Sequence, residues 1–278
     1  MLSMLKLLTT TLLLSSVLLA SSQNKKVEDF LEDSFSNNPN IVAIEVQIIE
    51  KIPVEKLKGW DALIVTLDAT VKEKKGTRKL KQKMIWFTNG RIITKELTDM
   101  QSGENLADEV SPKFKESYYK KENLIYGNAN AKHKVVIFSD PLCPFCRGFV
   151  PEAIDFMKKS PNKFAIYYYH FPLERIHPAA IELSQAAIAA EIKGEKDVVL
   201  KLYKVEVNAK ERDVKKILKA FNKGLGTNIT PADLKSAKVQ KHMKSDLKIA
   251  ENVMVGGTPT MFFDGKIDKT KRKYMKVK

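Results

Sequence analysis

Two cysteines supply all the thiols of this 278-residue chain, and they stand in the order Cys143-Pro144-Phe145-Cys146. With no further cysteine there is no second cross-link and no four-cysteine zinc site for these sulfurs to serve. The pair is free to cycle between a dithiol and an intramolecular disulfide. As a passive disulfide it would close a four-residue loop, which gains little chain entropy. As half a metal site it would need histidines or a second chain at a spacing the sequence does not offer. Redox chemistry is the expected use, with no metal and no cofactor.

The neighbouring residues indicate how such a pair would be positioned. Val135-Val136-Ile137-Phe138 is strand-like, and Cys143–Lys159 is helix-like. The start of a helix carries unpaired N–H groups and the positive end of the dipole, which favour a thiolate there. Cys143 is therefore the expected exposed nucleophile. Cys146, one turn deeper, is placed to resolve a mixed disulfide. Pro144 suits the first helical turn, where its missing N–H is not needed. Phe145 brings no proton donor or charge, which points to a less extreme oxidant than a histidine there would give.

Asp140-Pro141 shapes the strand-to-helix turn, and a buried proton acceptor is the alternative role for Asp140. His170 and His177 bracket Phe171-Pro172-Leu173 and read as structural rather than as site contacts; Tyr167–Tyr169 reads as strand core. The second piece of the site is Gly256-Gly257-Thr258-Pro259-Thr260. A proline after two glycines and directly before a short strand fits either a cis peptide or a trans turn.

Around this site the chain reads in two parts. In residues 24–100, Val27, Phe30, Leu31 and Phe35 fall at helical spacing. Ile41–Ile49 and Ala62–Val71 alternate as strands, and Lys81–Thr88 and Arg91–Leu97 flank Asn89-Gly90 as a two-residue hairpin. Such a small unit buries a thin core, which makes pairing with a second copy favourable. Thr98–Lys121 is a polar connector, helical over Glu104–Val110. Strands are then expected at Leu124–Tyr126, Lys134–Ser139, Phe164–His170 and Thr260–Phe263. Helices are expected at His177–Lys193, Lys196–Val207, Arg212–Lys223 and Pro231–Met254, the last opened by Thr230-Pro231-Ala232-Asp233.

The formal net charge is +15. The basic excess is spread widely, with local density at Lys72–Lys83 and in the tail, and reads as a solvated surface. No aromatic-interleaved basic motif argues for nucleic acid. Met1–Lys6, the apolar Leu7–Ala20 and the small residues Ala20-Ser21-Ser22 have the layout of a cleaved secretory signal peptide. The expectation is an exported protein of an oxidising compartment such as the periplasm.

The pattern as a whole is α+β. It consists of a thioredoxin-like domain with a helical insertion (123–278), preceded by a small α+β unit (23–100) and a connector (101–122), after a signal peptide (1–22). Phe138-Ser139-Asp140-Pro141-Leu142-Cys143-Pro144-Phe145-Cys146 resembles the redox segment of periplasmic Dsb thiol-disulfide interchange proteins of the DsbC/DsbG type. Thr258-Pro259 resembles their Thr-cis-Pro loop, and Ser102-Gly103-Glu104-Asn105-Leu106 the start of their linker. The resemblance makes 23–100 a dimerisation domain and 101–122 a linker helix, and implies a homodimeric isomerase or reductase for misdisulfided or unfolded secreted proteins, kept reduced by a DsbD-type membrane partner. It implies Cys143 as nucleophile, Cys146 as resolving thiol, a cis Pro259 packed against the sulfurs, and a Thr258 backbone that binds a client strand. Tyr169-His170-Phe171-Pro172-Leu173 and His177-Pro178-Ala179-Ala180 are closer to DsbA-like oxidases, whose electron acceptor is a DsbB-type membrane protein. A chaperone-like client-binding protein is a third reading.

Overall fold

The computed structural model describes residues 23–74 and 76–277; the expected signal peptide lies outside the described residues. The chain divides after Ser111 into two compact units.

The first unit opens with helix α1 over residues 23–36. An antiparallel sheet follows, of strands β1 (Ile41–Pro53), β2 (Asp61–Glu73), β3 (Gly76–Thr88) and β4 (Ile93–Thr94), in that spatial order. Leu31 of α1 is fully buried against Val46, Leu63, Val65, Leu67 and Trp86, with Val27 and Phe35 packed on the same cluster. Residues 27, 31 and 35 form one i, i+4, i+8 stripe. Phe30, grouped with them by spacing alone, faces outward and is 54% exposed. The opposite side of the sheet buries Val54, Ala62 and Phe87 under Leu106 and Val110.

Two local expectations are corrected here. The tight connection falls between Glu73 and Gly76, which pair across β2 and β3. The Asn89-Gly90 segment is a four-residue loop, because β3 and β4 pair as Thr88 with Ile93. Asn89 Oδ1 accepts from the N–H groups of Arg91 and Ile92, and Thr88 Oγ1 donates to the Ile92 carbonyl. The asparagine thus works as a side-chain acceptor and not as the first residue of a two-residue turn. Where a linker helix was expected there is one turn, α2 (Ala107–Val110). Residues from Pro112 onward belong to the second unit, where Phe114 packs on Phe138, Tyr169 and Phe262.

The second unit is built on a five-stranded sheet of β5 (Leu124–Tyr126), β6 (His133–Ser139), β7 (Phe164–His170), β8 (Thr260–Phe263) and β9 (Lys266–Ile267). The spatial order is β5-β7-β6-β8-β9, with β6 and β7 parallel and the other pairs antiparallel. The period-two alternation of buried side chains on β6 serves both faces. Val135 and Ile137 pack under helix α3 (Pro144–Lys158) against Val150, Ala153, Ile154 and Met157. Val136 and Phe138 face Phe114 and the end of helix α8 (Ala237–Asn252), at Ile249, Ala250 and Val253.

Between β7 and α8 lies the helical insertion, with α4 (Ala179–Ile192), α5 (Val198–Leu202), α6 (Val214–Leu225) and α7 (Pro231–Leu234) around a core of their own. The single helix expected over Pro231–Met254 is two. Thr230 and Asp233 close a capping box on α7, and Ser236, in extended backbone, separates it from α8.

Gly127, just past β5, has φ +82, and a Cβ there would come within 1.9 Å of the Phe164 carbonyl oxygen. Gly226 has φ +71 but open space around it. Gly127→Ala is expected to destabilise the second unit by roughly 2–4 kcal/mol and Gly226→Ala by about 1–2 kcal/mol. Chemical denaturation followed by circular dichroism measures both, and equal losses would contradict the steric argument.

Candidate active site

The sequence places Cys143, Cys146, Asp140, Pro144, Phe145, Thr258 and Pro259 in one site, and the fold brings them together at the ends of two adjacent strands. β6 and β8 pair as Phe138 with Thr260, so the cysteine segment and the Thr258-Pro259 loop leave the sheet side by side. Cys143 is the N-cap of α3 and Pro144 its first residue. The first intrahelical bond runs from Arg147 N to the Cys143 carbonyl. The Thr258-Pro259 peptide is cis, and Thr260 Oγ1 donates to the Gly257 carbonyl at 2.7 Å, holding the loop against its own strand.

Both cysteines are free thiols. The Cys143 sulfur donates to the Thr258 carbonyl at 3.6 Å. Cys143 retains 5% of its surface and Cys146 none. The expected order, leading sulfur outside and second sulfur beneath, is present, but Cys143 is far less open than a helix terminus alone suggests. The Thr258 carbonyl lies against it, while the Phe145 ring between the two cysteines is 78% exposed. Burial pushes the Cys146 thiol up to about 11, with the Ser139 and Thr258 hydroxyls and the Asp140 N–H opposing the rise and the Cys143 sulfur adding to it. Arg147 donates to the carbonyls of Val205 at 3.0 Å and Pro141 at 3.4 Å, joining the first turn of α3 to the insertion.

Asp140 is fully buried, and its two oxygens accept four bonds. Oδ1 accepts from the N–H groups of Leu142 at 2.7 Å and Cys143 at 3.1 Å. Oδ2 accepts from Leu173 N at 2.7 Å and pairs with His177 Nδ1 at 3.0 Å. The turn-shaping reading of Asp140 is what this geometry supports, since each oxygen already carries two donors. His177, expected as a bystander, joins the site through this carboxylate. His170 does not: it is buried at the end of β7 beside the Tyr168 and His242 rings, with its backbone N–H donating to Asp246 Oδ2 at 2.9 Å.

Sequence reasoning also missed a line of buried hydroxyls. Ser139 Oγ lies 2.6 Å from Tyr203 Oη, which lies 2.9 Å from Tyr168 Oη. The one signal available was a polar residue, Ser139, closing the apolar run Val135–Phe138.

A buried dithiol at a helix start, facing a cis-proline loop on a central mixed sheet, defines a thioredoxin-like protein. The chain belongs to the thioredoxin family, whose sequence model matches residues 119–278. Among solved structures it is similar to a thioredoxin-like oxidoreductase from Silicibacter pomeroyi DSS-3 (21% identity, 54% of this chain and 84% of that one, TM-score 0.44). It is also similar to oxidised BdbD from Bacillus subtilis (18% identity, 59% and 91%, TM-score 0.45) and to a periplasmic thioredoxin-like protein from Salmonella enterica serovar Typhimurium (19% identity, 55% and 87%, TM-score 0.45). Among curated proteins it matches Na(+)/H(+) antiporter NhaA 1 of Mycolicibacterium gilvum, 28% identical over 144 residues. That match takes in 51% of this chain and 23% of the antiporter, so the chain spans about a quarter of the length of that relative. No helix among the described residues is long and apolar enough to cross a membrane.

Asp140→Ala would strand four donors at once. It is expected to cost about 3 kcal/mol or more, with His177→Ala costing less, as read by denaturation midpoints. A second expectation concerns His170, whose imidazole burial pushes down to about 3, with His242 adding to the effect. The unfolded chain binds this proton below about pH 6.5 and the folded chain refuses it until about pH 3. Stability is therefore lost as pH falls through that window, by up to about 1.4 kcal/mol per pH unit. His170→Phe should flatten the slope relative to the parent protein; an unchanged slope would contradict the assignment.

Proposed function

We propose that this protein is an exported thiol-disulfide oxidoreductase acting on cysteines of secreted proteins through Cys143 and Cys146. The observation that carries the reading is the stacking of the two thiols beneath the cis Thr258-Pro259 loop, with the leading one on the Thr258 carbonyl. The Cys143 thiolate attacks a client disulfide, forming a Cys143–client S–S bond, and the electron pair of the broken bond leaves on the other client sulfur. A second client cysteine then displaces Cys143 and completes an isomerisation. Alternatively, Cys146 attacks the Cys143 sulfur and expels the client as a thiol, leaving a Cys143–Cys146 disulfide. The Thr258 backbone offers polar groups to an extended client segment, and the exposed Phe145 ring gives it an apolar contact.

The finer reading is an isomerase or reductase of the DsbC/DsbG type working as a homodimer, with a membrane protein supplying electrons. In support of the dimer, β1 is an edge strand of the first sheet and carries Val42 and Ile49 about half exposed. The second reading is a DsbA-like oxidase passing electrons to a membrane acceptor. The observation that favours it is the His177–Asp140 pair, which ties the histidine-bearing segment to the redox turn.

Cys143→Ser is expected to abolish exchange with a peptide disulfide, and Cys146→Ser to accumulate mixed disulfides. Client rescue that survives Cys143→Ala would replace the redox reading with a chaperone-like one. Trapping free thiols in cells with a mass-shifting alkylator separates the finer readings. A mostly reduced pair fits the isomerase or reductase, and a mostly oxidised pair, with a reduction potential approaching about −120 mV, the oxidase. Sedimentation tests the dimer: a monomer at micromolar concentration would overturn it.

A further inference from the structure

Cys146 is fully buried in one core cluster with Cys143, Tyr168 and Tyr203. Its ionisation is influenced by Cys143 and the Asp140 N–H from the turn into α3, by Thr258 from the cis-proline loop and by Ser139 from the end of β6. The Asp140 carboxylate in the same turn is already occupied by Leu142, Cys143, Leu173 and His177. Thr258 Oγ1 is buried without a hydrogen-bond partner of good geometry among the described residues. Behind Ser139 the two tyrosine hydroxyls continue the line, Tyr203 at the C-terminal end of α5 and Tyr168 on β7. Neither ring is solvent-accessible beyond a few per cent, and burial holds both phenols protonated well above their ordinary range. They are permanent donors.

A sulfur in such a place has a problem that the leading cysteine does not share. To close on Cys143 it must become anionic where no water reaches it. Hydroxyls can rotate, and a chain of them polarises along its length when every member donates in one direction. With Tyr168 donating to Tyr203, Tyr203 to Ser139 and Ser139 to sulfur, all three dipoles point at the developing negative charge. While Cys146 is a thiol, the same line can reverse and accept the S–H.

We propose that Ser139 and Tyr203 form a switchable hydroxyl line that stabilises the Cys146 thiolate and so sets the speed at which client mixed disulfides are resolved, Ser139 at the sulfur and Tyr203 as a positioning residue behind it. The step is balanced. Cys146 gives up its proton and forms the S–S bond to Cys143, the Cys143–client bond breaks, and the client sulfur takes the electron pair and a proton. No other oxidant or base is consumed.

This rests on the redox reading above, and the test separates the two. In a Cys143→Ser background Cys146 is the sole thiol, and its thiolate can be titrated by ultraviolet absorbance without any exchange activity. Adding Tyr203→Phe is expected to raise the titration midpoint by about one pH unit, corresponding to about a tenfold loss of thiolate at a given pH. Ser139→Ala should raise it at least as far, and Ser139→Thr, which keeps a hydroxyl, should restore it. In the two-cysteine protein, Tyr203→Phe should slow release from a Cys143 mixed disulfide about tenfold and move its pH profile upward. The rate at which Cys143 first attacks a small disulfide should stay the same. An unmoved Cys146 titration in Tyr203→Phe overturns the inference, as does an equal slowing of both steps, which marks a merely structural tyrosine. If the titration moves but the two-cysteine protein exchanges nothing, the hydroxyl line stands as a thiolate site and the redox function fails.

Discussion

The site depends on one buried carboxylate. A strand that ends against a helix start leaves the helix's first N–H groups without partners, and the loop joining the two must turn within a few residues. Asp140 meets both demands with its two oxygens. One closes the turn on Leu142 and Cys143, and the other holds Leu173 and His177 from the far side of β7. The segment that bears the sulfurs and the segment that enters the helical insertion are thereby fixed to the same atom pair. Such a carboxylate is tolerable in the interior because its oxygens are fully supplied with donors.

Around that anchor the two thiols receive opposite environments from a single helical turn. Cys143 caps α3 and keeps a sliver of surface beside a carbonyl and an exposed aromatic ring. Cys146 is sealed among β6, the cis-proline loop and α5, where desolvation opposes its ionisation. The difference in burial gives the pair a direction: one sulfur borders the outside, and the other is enclosed behind it.

Much of this was legible in the residues. Strands β5 to β8 and helix α3 follow from apolar alternation and from proline at a helix start, and the two pieces of the site from a cysteine pair and a proline before a strand. What escaped were contacts made by the tertiary path of the chain. His177 reaches Asp140 across 37 positions and Tyr203 reaches Ser139 across 64, and neither separation leaves a local pattern. In the first unit the Asn89-Gly90 pair suggested a tight turn because its backbone preferences are strong. The asparagine side chain satisfied two amides instead, and the loop opened by two residues. The linker was overextended because Glu104–Val110 is composed like a helix, while Ser111-Pro112 and the aromatic side chain of Phe114 draw the chain into the second core.

The pairing of Phe138 with Thr260 has a consequence for how tolerant this architecture is. The sulfur-bearing turn and the cis-proline loop step off the same rung of one ladder, where the strands are one interstrand spacing, about 4.8 Å, apart. Main-chain bonds fix that width, and side-chain identity has little say in it. The helical insertion can then vary in sequence while the width at that rung stays set by the sheet.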